Sequence, residues 1–114
     1  MQIISSPYSL KELWENRKTD FTEMMKIVVD VEKEIIAIDA EMHADLENLL
    51  LLNQSEHQHL WGANIYPFKE EEEDYLEYTS FINIRPSQNN RSMEVIDPEI
   101  REKIMQIVND LIVR

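Results

Sequence analysis

The chain has no cysteine among its 114 residues, which excludes disulfides, a thiolate metal site and a cysteine nucleophile. It has one glycine, Gly62, and so no glycine-rich phosphate loop. Neither a G-x-S-x-G elbow nor an H-E-x-x-H pair occurs, so the sequence gives no support for serine-hydrolase or zincin chemistry. Positive charge is scarce as well: 11 Lys and Arg stand against 23 Asp and Glu, a net charge of −12. Duplex binding needs clustered cations to neutralise phosphates, so no nucleic-acid partner is expected. Apolar runs such as Leu49 to Leu52 fall far short of the ~20 residues that cross a bilayer. Met1 to Pro7 lacks the basic start and long apolar stretch of a secretion signal. A soluble, cytoplasmic protein with no membrane partner is therefore expected.

What is present suits a compact core. With 43% hydrophobic and 30% charged residues, the chain falls in the globular rather than the disordered class. Its length fits a single globular domain, residues 1–114. Ser9 and Glu12 have capping-box spacing, predicting a helix from about 10 to 18 that extends at most to 25. Val28, Val29, Val31, Ile35, Ile36 and Ile38 are β-branched, and two antiparallel strands turning around residues 32–34 are expected, although the turn has neither Gly nor Asn. From Ile36 to Asp45 every second residue is apolar and, Ala37 apart, those between are polar, which reads as a continuing strand. Residues 45–52 read as a short helix or a further strand, and residues 53–59 as a polar loop. Leu60 to Tyr66 reads as a strand ended by Pro67, with Gly62 marking a bulge or a close approach. The run Glu70 to Asp74 reads as a solvated loop, with a docking site for a basic partner as the sharper alternative. Tyr75 to Ile84 reads as another strand. Asp97-Pro98-Glu99 opens a final helix whose apolar stripe is Ile100, Ile104, Ile107, Val108 and Leu111. Ile112 and Val113 are expected to be exposed and available to a dimer contact.

Two constellations carry chemistry. The loop after Ile84 holds Arg85, Ser87, Gln88, Asn90 and Arg91, two cations and several neutral donors with no acid between them. Arg offers a planar fork suited to carboxylates, so this loop is the expected binding site, with Trp61 and Tyr66 as apolar walls and Asn64 nearby. Its ligand would be a small anion or a protein partner; the competing reading has the same groups capping the turn into the last helix. The second constellation is Glu41-x-His43-x-Asp45. On a strand these three project from one face about 6.5–7 Å apart, and their types suit metal ligation or acid/base work. The competing reading is a solvent-facing polar strand side. His57 and His59 read as exposed loop residues.

Several segments then point to a family. Val29-Asp30-Val31-Glu32, Glu41-Met42-His43-Ala44-Asp45, Leu60-Trp61-Gly62-Ala63-Asn64-Ile65-Tyr66-Pro67, Ile82-Asn83-Ile84-Arg85-Pro86 and Asn90-Arg91-Ser92-Met93-Glu94 occur in that order, followed by Ile100-Arg101. Together they resemble the small bacterial and archaeal proteins grouped as domain of unknown function 5674. The resemblance spans nearly the whole chain and implies no activity. In one respect the chain departs from that pattern: Asp39 and Gln54 stand where it carries glycines, which speaks against a tight glycine turn at either position.

The expected architecture is α+β: an antiparallel sheet of about four strands with an N-terminal helix and a C-terminal amphipathic helix packed on it. One sheet face would stay bare, carrying Glu41, His43 and Asp45, and a homodimer would cover it. Three functions remain open: a non-catalytic binding or regulatory module centred on the Arg85 loop, a metal-assisted or acid/base hydrolase centred on His43, and a plain interaction subunit. No cofactor is expected.

Overall fold

The computed structural model describes residues 1–114. The fold is α+β. A five-stranded antiparallel sheet has the order β1–β4–β3–β5–β6, formed by β1 (Gln2–Ile4), β3 (Met25–Asp30), β4 (Ile35–Ile38), β5 (Leu60–Ile65) and β6 (Leu76–Glu77). A parallel pair, β2 (Tyr8–Ser9) with β7 (Ile112–Val113), ties the two ends of the chain together. The helices are α1 (Leu10–Glu15), α2 (His43–Leu52), α3 (Glu72–Tyr75) and α4 (Pro98–Leu111).

Strand alternation sends side chains to two separate cores. Ile27 and Val29 on β3, Ile36 and Ile38 on β4, and Trp61, Ala63 and Ile65 on β5 point toward α1 and α4. Val28, Ala37 and Leu60 point the other way and meet Leu46 and Leu50 of α2. Helix α4 is set by its sequence: the Asp97 carboxylate accepts from Glu99 N at 2.9 Å, Pro98 occupies the first turn, and Ile104, Ile107, Val108 and Leu111 are buried on the sheet. Each such side chain stabilises the fold by roughly 1.5–3 kcal/mol. Ser9 caps α1 as its spacing predicts, but the helix stops at Glu15, well short of residue 18.

The β3–β4 hairpin turns where expected, and the missing Gly or Asn is replaced by Asp30. Its buried carboxylate accepts the N–H groups of Glu32 and Lys33, both at 2.9 Å, and the hydroxyl of Ser55 at 2.6 Å, while Glu34 takes the left-handed φ of 57°. Asp39 and Gln54 adopt φ of 78° and 75°, so both turns form in the left-handed region without glycine. Asp39 fixes its turn by accepting Lys18 N–H at 2.9 Å.

Three expectations are corrected here. The alternation from Ile36 to Asp45 is not one strand: β4 ends at Ile38, Asp39 reverses the chain, and His43 begins α2. The second sheet face is covered by α2 rather than bare, which removes the reason given for a covering dimer. Ile112 is buried at 2% exposure inside β7, leaving only Val113 at the surface.

Residues 75–84 also depart from a single strand. Only Leu76 and Glu77 pair with β5, and 3-10 turns follow at Phe81–Asn83 and Pro86–Gln88. Side chains finish the edge of β5 in place of a strand. Asn83 accepts Gly62 N–H at 2.8 Å and donates to Gly62 O at 2.9 Å, copying the paired bonds of a ladder partner. Gly62 is required by a close approach: a Cβ there would lie 2.5 Å from Ser80 Cβ. No helix is long and apolar enough to cross a membrane.

Candidate functional site

The Arg85 loop folds inward. Arg85 is 4% exposed and lies over the Trp61 ring, its guanidinium carbon 4.7 Å from the ring centroid. Nε donates to Ile82 O and Nη1 to His57 O, each at 3.0 Å; Nη2 donates to Leu60 O and lies 3.4 Å from Glu47 Oε2. Burial lowers the Arg85 pKa and the Glu47 carboxylate opposes that effect. Asn90 is equally committed: its amide donates to the carbonyls of Asn83 and Glu94, and its oxygen accepts Ile96 N–H at 2.9 Å. Asn89 makes the turn in left-handed geometry, φ 61°. Gln88 donates to Gln58 O, while Ser87 and Arg91 are exposed. Trp61, expected as a ligand wall, is core at 2% exposure. The expected clamp is thus a staple: Arg85 and Asn83 close the outer edge of β5, which would otherwise present unpaired carbonyls.

Glu41, His43 and Asp45 do not share a face. Glu41 is exposed in the turn before α2, and His43 and Asp45 are two residues apart in the first helical turn, on opposite sides. No group of three acidic or histidine side chains is placed to hold a metal ion. His57 and His59 lie beside Glu47 and Glu56 at 3.4 and 3.6 Å.

The structure does bring together His43, Asn64 and Tyr66, with two residues the sequence did not single out. Lys26 on β3, Asn64 on β5 and Glu77 on β6 are direct register partners, so they form one row across the α2 face of the sheet. His43 reaches over from α2, and its Nε2 bonds Ala63 O at 2.8 Å. Asn64 donates Nδ2 to Glu77 Oε1 at 2.8 Å and to Thr79 O at 3.2 Å, and Tyr66 donates its hydroxyl to the same Glu77 oxygen at 3.0 Å. Both Asn64 Nδ2 partners only accept, which fixes the orientation of the amide. Its Oδ1 is left buried without a partner. Burial holds His43 below 6.5; the Ala63 carbonyl, Asn64 and Glu77 oppose that shift and Lys26 adds to it. Burial, then the bond to Glu77, raises the Tyr66 pKa.

This row meets a groove of about 970 Å³ running along β6 toward α4. Its lining carries six carboxylates, Glu71, Glu72, Glu73, Asp74, Glu77 and Glu94, against two cations, Lys69 and Arg101. Tyr66, Tyr78, Leu76 and Met105 supply apolar wall between them. Arg101 is engaged, with its Nη2 3.8 Å from Glu94 and its guanidinium over the Tyr78 ring. Glu71, Glu72, Glu73, Asp74 and Glu77 take part in none of the ion pairs of the fold, and Glu72 and Glu77 accept only neutral donors. The run read as a solvated loop is exposed throughout, but α3 holds Glu72, Glu73 and Asp74 in its single turn, and residues 71–74 line one side of the cleft.

A family model matches residues 2–111. The chain belongs to the DUF5674 family, proteins of unknown function. No curated protein and no solved structure matches it. The resemblance seen in the ordered sequence segments is thereby established at the level of family. In this DUF5674 protein those segments supply Asp30, Gly62, Asn83, Arg85 and Asn90, which build the hairpin and finish the sheet edge. Lys26 and Glu77 lay outside the quoted segments. The signal that would have found them is a charged residue at the register position of Asn64 on each neighbouring strand.

Proposed function

We propose that this DUF5674 protein is a small non-catalytic binding module that acts as one globular unit and captures a basic segment of a protein partner in its acidic groove. The observation that carries this reading is the lining itself: six carboxylates face two cations, and of the six only Glu94 has an ion-pair partner. Uncompensated like charges held together repel one another, and an incoming Lys or Arg relieves that repulsion as it forms charge-assisted bonds. Tyr66 and Tyr78 add ring faces suited to the stems and guanidinium planes of such residues. The small-anion reading loses its anchor because Arg85 is bonded to the protein's own carbonyls.

The test is calorimetric titration with an oligoarginine peptide. Binding should weaken steeply between low and physiological salt, since exposed charges are screened over about 8 Å at 0.15 M. It should fall at least tenfold in a Glu71→Gln, Glu73→Gln, Asp74→Asn triple variant. Affinity unchanged in that variant, or an oligoglutamate peptide binding more tightly, would defeat the reading.

A further inference from the structure

Behind the groove wall lies an imbalance of donors and acceptors. Asn64 is 6% exposed; its amide nitrogen is bonded to Glu77 and Thr79, and its oxygen has no partner. Buried polar atoms in folded proteins are rarely left so. His43, 9% exposed, lies beside it. Its Nε2 faces the Ala63 carbonyl, which only accepts, so that nitrogen carries the hydrogen and a neutral ring has no second N–H to give. An imidazolium has one. Protonation of the ring adds, next to Asn64, the donor that the leftover acceptor lacks.

We propose that His43, Asn64 and Glu77 form a proton-linked relay, through which protonation of a buried histidine is registered at the acidic groove. The protonated ring donates to Asn64 Oδ1, and the polarised amide then holds the Glu77 carboxylate more firmly against the wall through Nδ2. The added positive charge also opposes a cation bound at Glu77. The charged groups that face the ring are Lys26 from β3, which resists protonation, and Glu77 from β6, which favours it. Asp45 shares the first turn of α2 but lies on its far side. Tyr66 donates to the Glu77 oxygen that Asn64 also uses, so it registers the same event. The relay stands in the free protein; only its effect on a bound partner rests on the groove reading.

The experiment is an NMR titration of the protein alone, following the His43 ring protons and the Asn64 side-chain NH2. The two should share one midpoint below 6.5. Glu77→Gln should move that midpoint lower and Lys26→Met should move it higher. His43→Gln, which keeps an amide donor for Ala63 O, should abolish the Asn64 transition. An Asn64 NH2 that stays flat through the His43 transition, a midpoint unmoved by Glu77→Gln, or a ring that stays neutral until the chain unfolds would each overturn the relay. A second arm adds oligoarginine peptide: a bound peptide should lower the His43 midpoint by neutralising Glu77. A peptide that binds in the groove without moving the midpoint overturns the coupling. A peptide that does not bind overturns the groove reading and leaves the free-protein result to decide the relay.

Discussion

Replacing Arg85 with Ala should unfold much of what the protein has in reserve. The side chain is 4% exposed, serves the carbonyls of Ile82, His57 and Leu60, and faces Glu47. Removing one partner of a buried, hydrogen-bonded charge pair costs about 3–5 kcal/mol. Part of that is the penalty for leaving the carbonyls of Leu60, His57 and Ile82 unpaired, about 1–3 kcal/mol for each one that water cannot reach. Against a total stability of about 5–15 kcal/mol, the loss is large. At about 4 °C per kcal/mol it lowers the melting temperature by roughly 12–20 °C. Arg85→Lys should recover less than half of the loss, because one ammonium cannot span carbonyls that a planar fork reaches together. Urea denaturation at constant m-value measures the difference. A variant within about 1 kcal/mol of the parent would show that the guanidinium is not a structural staple. If that variant also lost binding of a small anion, the clamp reading would return.

Three further outcomes follow from the geometry. Gly62→Ala should destabilise by about 1–3 kcal/mol through collision with Ser80, and Ser80→Gly in the same chain should restore part of it; strict additivity of the two would refute the contact. Gln54→Gly should stabilise by about 0.5–1 kcal/mol, because φ is 75° and Lys33 bonds the backbone oxygen that glycine keeps; a loss on thermal unfolding would contradict this. His43 has a native pKa below 6.5, so below pH 6.5 the unfolded chain takes up a proton the native state resists. Stability should therefore drop as pH falls from 6.5 to the native pKa, and this component should vanish in His43→Gln when both are followed by denaturant melts across pH.

How far the sequence could be read depended on the range of the forces involved. Helix α4 was legible because its determinants are local: Asp97, Pro98 and a stripe at spacings of three and four. The β3–β4 hairpin was legible from its β-branched runs, though its turn is made by the Asp30 carboxylate at the strand end rather than by a Gly or Asn inside the turn. The alternation from Ile36 to Asp45 misled because period two is coincidental after Ile38; Asp39 ends the strand, held by the N–H of Lys18 21 residues away. Arg85 misled for a similar reason. An Arg among Asn, Gln and Ser looks like an exposed clamp, and only the tertiary fold shows that its acceptors are the carbonyls of His57, Leu60 and Ile82. Of the candidate site, Asn64 and Tyr66 were named from sequence as neighbours of the Arg85 loop, and His43 in the separate Glu41–Asp45 constellation. Lys26 and Glu77 join them only through strand register, which a single sequence does not fix.

The most direct test of the groove is an amide NMR map of the free protein titrated with oligoarginine peptide. Shifts should concentrate at residues 71–79 with Tyr66, Glu94 and Arg101, fade with added salt, and spare the Arg85–Asn90 turn. Shifts concentrated at residues 85–92, or scattered evenly over the acidic surface, would contradict a binding groove.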